Sequence, residues 1–320
     1  MTHRKSTGFL NQLKICRTSL LLFVSFLFYC NLQAQANEYF ADILPTDRPI
    51  PFNTELVPNG MLIHSGIFSP DLEEYYFTIS DKNFSRFDVK KSHKENGEWS
   101  QPEDAFFNTT YNEHGTSFTS DGKYIYFSST RPVNVDGVST TWHIWRSERV
   151  NGNWTDPVFV DIPNLRNKLV SHPSLTADGT MYFHSGNTNY SDLNIYYSKQ
   201  IEGVFQDAVK LPQEINIGSQ QDTPFISADE SYILFESVPD LYISYKNDNG
   251  GWSVAEPLNE RINKNGKGNP YISPDNKYLF YAAGVEPSPD DNWSVFWVST
   301  DEVFKTTGKS SISKKMLLLK

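Results

Sequence analysis

Four side chains stand where they could hold a cation: His64, His114, His172 and Asp222. His64, His114 and Asp222 each lie seven residues ahead of an aspartate, Asp71, Asp121 and Asp229. Ser171 and Gly268 occupy the same place ahead of Asp178 and Asp275, and His172 follows Ser171 directly. Imidazole and carboxylate suit zinc, manganese and similar divalent ions. An ion so held polarises a sugar carboxylate or activates water. A polar residue at that offset also has a plainer use, bonding to the backbone of a neighbouring element. Glu113 and Asp222 form a second set, carboxylates at inner positions suited to glycoside hydrolysis. Asp88 and Asp240 share a later column with His143, Asn194 and Val295, which reads as turn or edge chemistry. Other chemistries lack their motifs: the chain has no G-x-S-x-G, no H-E-x-x-H, no phosphate-binding glycine loop and no paired cysteines. Gly115 to Thr119 comes nearest to the serine-hydrolase elbow and lacks its second glycine.

The elements that must position these residues repeat. SPDLEEYYFTIS, TSDGKYIYFSST, TADGTMYFHSG, SADESYILFES and SPDNKYLFYAAG start at Ser69, Thr119, Thr176, Ser227 and Ser273. Their aspartates are spaced by 50, 57, 51 and 46 residues. A period near 50 with strand alternation and no helical pattern predicts a β-propeller. After each aromatic strand comes a strand ending in Ser, and in four units a turn such as Asn151-Gly152 ahead of an aromatic residue. Asn-Gly suits a type I′ hairpin because both central residues need positive φ. Each unit therefore reads as one four-stranded antiparallel blade. Alternation puts Tyr124 and Tyr126 on one face of their strand and Ile125 and Phe127 on the other, as blade-to-blade packing requires. The last unit lacks a fourth strand, and the segment from Phe52 to Pro58 is expected to supply it, closing the ring and covering its edges. Five blades result, or six if 37–60 and 301–320 together build another.

The Ser-Pro-Asp-Gly core with its following aromatic strand, the D-[IL]-Y-x-S strand and the G-x-W-S-x-P turn resemble the TolB-like β-propeller repeat, a relative of WD-repeat propellers, over about residues 61–300. Ser-Pro-Asp is intact at Ser69 and Ser273, and the glycine is kept at Gly122 and Gly179. The resemblance implies an all-β propeller and an exported bacterial protein. It leaves function open among interaction modules, propellers attached to peptidases and enzymes acting on sugars.

Arg4, Lys5, Lys14 and Arg17 precede an apolar run from Ser19 to Phe28 that reaches Ala34-Gln35-Ala36, the order of a cleaved signal peptide, with the mature chain starting near Asn37. The run is half the length of a membrane span. Cys16 and Cys30 both lie in this segment. Its four basic residues are its only charged side chains of the Asp, Glu, Lys and Arg types, so removing it takes the formal charge from −10 to −14. That balance disfavours nucleic acid. The expected organisation is a signal peptide (1–36), an N-terminal segment with the ring-closing strand (37–60), the propeller (61–305) and a flexible tail (306–320). The sequence reading is an exported, periplasmic or secreted, monomeric binding module for an envelope protein or a glycan. Its alternative is a carbohydrate-active enzyme, a lyase or glycoside hydrolase, with a divalent metal at the mouth of the central channel. The loops 131–141 and 284–293, ending near Trp142 and Trp293, are the expected recognition elements.

Overall fold

The computed structural model describes residues 38–41, 43–56 and 60–304; the expected signal peptide and the tail 306–320 lie outside the described residues. The chain divides into two compact units, 1–44 and 45–320. In the first, residues 39 and 40 form a turn. The second is a five-bladed β-propeller.

The repeated Ser/Thr-x-Asp turn sets each blade. The hydroxyl donates to the aspartate two residues on, at 2.5 Å for Ser69–Asp71, 2.6 Å for Thr119–Asp121 and 2.7 Å for Ser273–Asp275. The same carboxylates accept the backbone N–H groups of Glu73, Lys123 and Lys277. The residue after each aspartate is left-handed in all five units: Leu72, Gly122, Gly179, Glu230 and Asn276. Glycine suits that conformation best, which explains its appearance in the motif, yet the capped aspartate holds three other residues in it too.

Each turn joins an inner strand to a second strand. The inner strands are Met61–Phe68, Glu113–Phe118, Leu169–Leu175, Gln221–Ile226 and Gly266–Ile272, for blades 1 to 5. A third strand follows in every blade, and the outermost strand is only two residues long. Both faces of the second strands are buried, as the alternation requires. Ile125 and Phe127 pack toward blade 1 with Tyr76 and Val89, while Tyr126 packs toward blade 3 with Met181 and Phe183.

The outermost strand of blade 5 comes from the front of the chain, with Ile50 opposite Trp297 and Pro51 opposite Phe296. This closing strand lies just before the segment that the sequence pointed to. Asn53 is left-handed and Thr54–Leu56 form a single 3₁₀ turn, so no strand continues past Pro51. Phe52 instead becomes a wedge, 5.2 Å from the rings of both Tyr75 of blade 1 and Phe280 of blade 5. Among the described residues no helix is long and apolar enough to cross a membrane.

Candidate functional site

Strict alternation would aim the residue seven before each aspartate the same way in every blade. In blades 2 to 4 the inner strand slips just after that residue, at the same offset each time, whereas in blade 1 the slip falls at His64 itself, between Ile63 and Ser65. Pairing with the second strand slips between His114 and Ser117, between Ser171 and Ser174, and between Asp222 and Phe225. The residue at each of these three slips has positive φ: 59° at Gly115, 54° at His172 and 45° at Thr223. Such bulges bend a strand and re-aim its side chains. An imidazole-bearing residue held left-handed costs about 1–3 kcal/mol, and its neighbour makes the arrangement fit. A Cβ on Gly115 would stand 3.0 Å from the His172 ring.

The result is a compact group. His184, on the second strand of blade 3, places Nδ1 2.5 Å from Asp222 Oδ1, and His172 Nδ1 lies 3.9 Å from the same oxygen. One ligand atom from each of His172, His184 and Asp222 falls within 4.8 Å of the others. A cation with bonds of roughly 2.0–2.2 Å sets its ligand atoms about 3–3.5 Å apart, so small side-chain adjustments would seat one. The Thr223 N–H donates to Asp222 Oδ1 at 2.6 Å and fixes the carboxylate, the kind of outer contact that orients metal ligands.

Electrostatics separate the members. Burial raises the Asp222 carboxyl, but the charge and hydrogen bond of His184, together with His172, outweigh it and hold Asp222 well below the carboxylate range. Burial, reinforced by His184, pushes His172 down to about 3. Glu236 stands opposite Asp222 in the strand pair. Burial and the Asp222 charge push its carboxyl up to about 8. Its Oε2 lies 2.0 Å from where a Cβ on residue 268 would be, so Gly268 leaves the space that Glu236 fills.

Of the four residues singled out from the sequence, the structure brings His172 and Asp222 together and sets the other two apart. His114 lies one layer out, its ring 4.3 Å from that of His172 and 3.8 Å from Trp142, with Nε2 2.9 Å from Ser171 Oγ. Burial holds it well below its ordinary pKa. His64 is buried among Phe84, Phe87 and Trp293 and bonds Ser80 Oγ through Nε2 at 2.6 Å. Trp142 and Trp293 thus turn inward onto histidines rather than outward as anchors on the loops. Glu113 is fully buried, accepting from Thr109, Ser129 and Arg131 at 2.7, 2.8 and 3.1 Å; it is a structural clamp and not a hydrolytic carboxylate. Asp88 is taken up by Arg86.

His184 and Glu236 escaped the sequence reading, although a signal for them exists. The residue after the phenylalanine of the second strand is Ser128 in YIYFSS, His184 in MYFHS and Glu236 in YILFES. A small-residue column replaced by imidazole and carboxyl in adjacent blades marks the place.

No family model matches the chain, and no curated protein matches it. Among solved structures, a puromycin-hydrolyzing peptidase of Mycobacterium tuberculosis aligns at 12% identity over 70% of this chain and 34% of its own, with a TM-score of 0.41. This chain thus spans about a third of that peptidase's length. A thermostable family-43 glycoside hydrolase aligns at 15% identity over 75% of this chain and 89% of its own, with a TM-score of 0.47. Oligogalacturonate lyase in complex with manganese aligns at 13% identity over 76% and 66%, with a TM-score of 0.39. Likenesses this remote carry no argument about what this chain does; its fold is established by its own strand topology.

Proposed function

We propose that the chain is an exported, TolB-like propeller that binds a divalent transition metal through His172, His184 and Asp222 and acts on carbohydrate as a metal-dependent lyase or hydrolase. The observation that carries this reading is the convergence of two imidazoles and one carboxylate from three strands of two neighbouring blades. Two histidines and a carboxylate are a recurrent ligand set for such ions, with coordination positions left over for substrate or water. When bound, the metal supplies a Lewis acid. The chain's own residues orient the ligands: Thr223 fixes Asp222, and the Ser128 hydroxyl accepts the His172 backbone N–H at 3.0 Å. Carbohydrate as the substrate class is supported by the mixture of aromatic rings and hydrogen-bonding groups that line the channel between the five inner strands, a lining suited to small ligands with polar edges. Export rests on the basic, apolar and Ala-x-Ala order at the N-terminus, and the TolB-like grouping on the repeated motif.

The test is metal titration of chelator-stripped protein with Zn²⁺ and Co²⁺ by calorimetry, with elemental analysis of the product. One ion per chain is expected. His184→Ala should weaken binding by about 100-fold or more, while His64→Phe should leave it unchanged. A wild-type protein that takes up no ion, or a His184→Ala protein that binds as the wild type does, would return the chain to the other sequence reading, a binding module without chemistry.

A further inference from the structure

Past His172 the central channel continues as a cavity of about 280 Å³, running between the inner strands toward the Ser/Thr-x-Asp turns. No Asp, Glu, Lys or Arg is among the residues that line it. Its wall combines hydroxyl groups with the rings of Phe118, Phe225 and Tyr271. Two of the hydroxyls already accept a backbone N–H: Ser174 Oγ from Ile226 at 2.9 Å and Thr223 Oγ1 from Asn269 at 3.1 Å. Each therefore keeps its own hydrogen to give to a guest. Ser117, partly exposed on the same wall, makes no side-chain hydrogen bond among the described residues.

We propose that this cavity takes one uncharged, sugar-sized polyol, the terminal residue of a neutral glycan, entering from the turn face and ending against His172. Size and charge select this class. The volume falls at or below the lower end of the roughly 300–1,000 Å³ typical of drug-sized ligand sites, enough for a single ring and too little for a polymer to thread. Donor hydroxyls and ring faces match the oxygens and C–H faces of a sugar. In the metal-free protein a carboxylate or phosphate on the guest would lie along a wall with no counter-charge, and burying an unpaired ion is expensive. A uronate ring is therefore disfavoured in this cavity, which favours the hydrolase over the lyase of the two chemistries proposed above. The inference deepens the carbohydrate reading and rests on it for the word glycan, but it does not need the metal, because the hydroxyl-bearing wall lies beyond the ligand group.

The experiment titrates metal-free and metal-loaded protein with D-xylose, L-arabinose, D-galactose and D-galacturonate, following binding by calorimetry. At least one neutral sugar is expected to bind both forms, and galacturonate to bind the metal-free form at least about ten-fold more weakly. Ser117→Ala should weaken the neutral sugar by about five- to ten-fold. Ser117→Phe, which fills the cavity, should abolish binding; if it does not fold by circular dichroism, Ser117→Ala decides alone. Failure of every neutral sugar to bind, galacturonate binding the metal-free form as tightly as they do, or undiminished binding by Ser117→Ala would each overturn the proposal. Zinc titration of the same samples separates the two ideas. Sugar bound without zinc uptake refutes the metal centre alone, and zinc uptake without sugar refutes the cavity assignment alone.

Discussion

His64 offers a measurement in which the sign and the size both follow from its surroundings. The residue is 8% exposed. Its neighbours are rings rather than carboxylates: Phe84, Phe87 and Trp293 lie at 5.6, 5.1 and 5.2 Å. The Ser80 hydroxyl donates its hydrogen to the Asp81 carbonyl at 2.8 Å, so it must accept from His64 Nε2, which fixes the neutral Nε2–H tautomer. Burial accordingly pushes the His64 pKa down to about 4, against about 6.5 in an unfolded chain. The folded state disfavours the cation. The stability tied to the neutral ring is thus intact above about pH 6.5 and is lost as pH falls toward 4. The full loss is about 3 kcal/mol, and at pH 5 it has reached about 2 kcal/mol. His64→Phe keeps a ring in the aromatic nest and removes the titration. Urea unfolding at pH 7.5 and pH 5.0, wild type against variant, cancels the groups that both proteins share. The wild type should lose about 2 kcal/mol more than the variant between those values. Parallel losses would show that His64 titrates as an exposed histidine does, and the packing argument would fail.

Ring closure and the Glu113 clamp give two further tests. Phe52→Ala removes the wedge between blades 1 and 5 and should cost about 3–5 kcal/mol in urea unfolding; a loss under about 1 kcal/mol would mean that the two-residue closing strand holds the ring by itself. Glu113→Ala leaves the Arg131 guanidinium, whose side chain is 12% exposed, without its carboxylate. The expected cost is about 3–5 kcal/mol, with zinc affinity unchanged in any variant that folds, because Glu113 lies outside the ligand group.

The propeller could be read from the sequence because its determinants are local and repeated. An aspartate capped by a hydroxyl two residues earlier makes the same turn wherever it occurs, and an aromatic strand with two greasy faces has to sit between two neighbours. The closing strand was legible as an absence in the last unit, but its position was not. A two-residue strand carries no alternation, and the left-handed Asn53 that ends it is decided by packing. The site was harder for a related reason. His64, His114 and Asp222 share a column, yet they end in an aromatic nest, on an indole and in a ligand group respectively. The bulge falls at His64 itself and just behind both His114 and Asp222, so it sets His64 apart, and the second strand of each blade decides what the side chain meets: Ser80 for His64, Ser128 beside His114, and Glu236 opposite Asp222. A column along one strand therefore fixes where a side chain starts, and only the pair of columns, read across two strands and around the ring, fixes what it meets. His184 shows the consequence most directly. It occupies a place that is serine in blade 2, and its imidazole reaches across the blade boundary to Asp222, a contact that no spacing within a single repeat encodes.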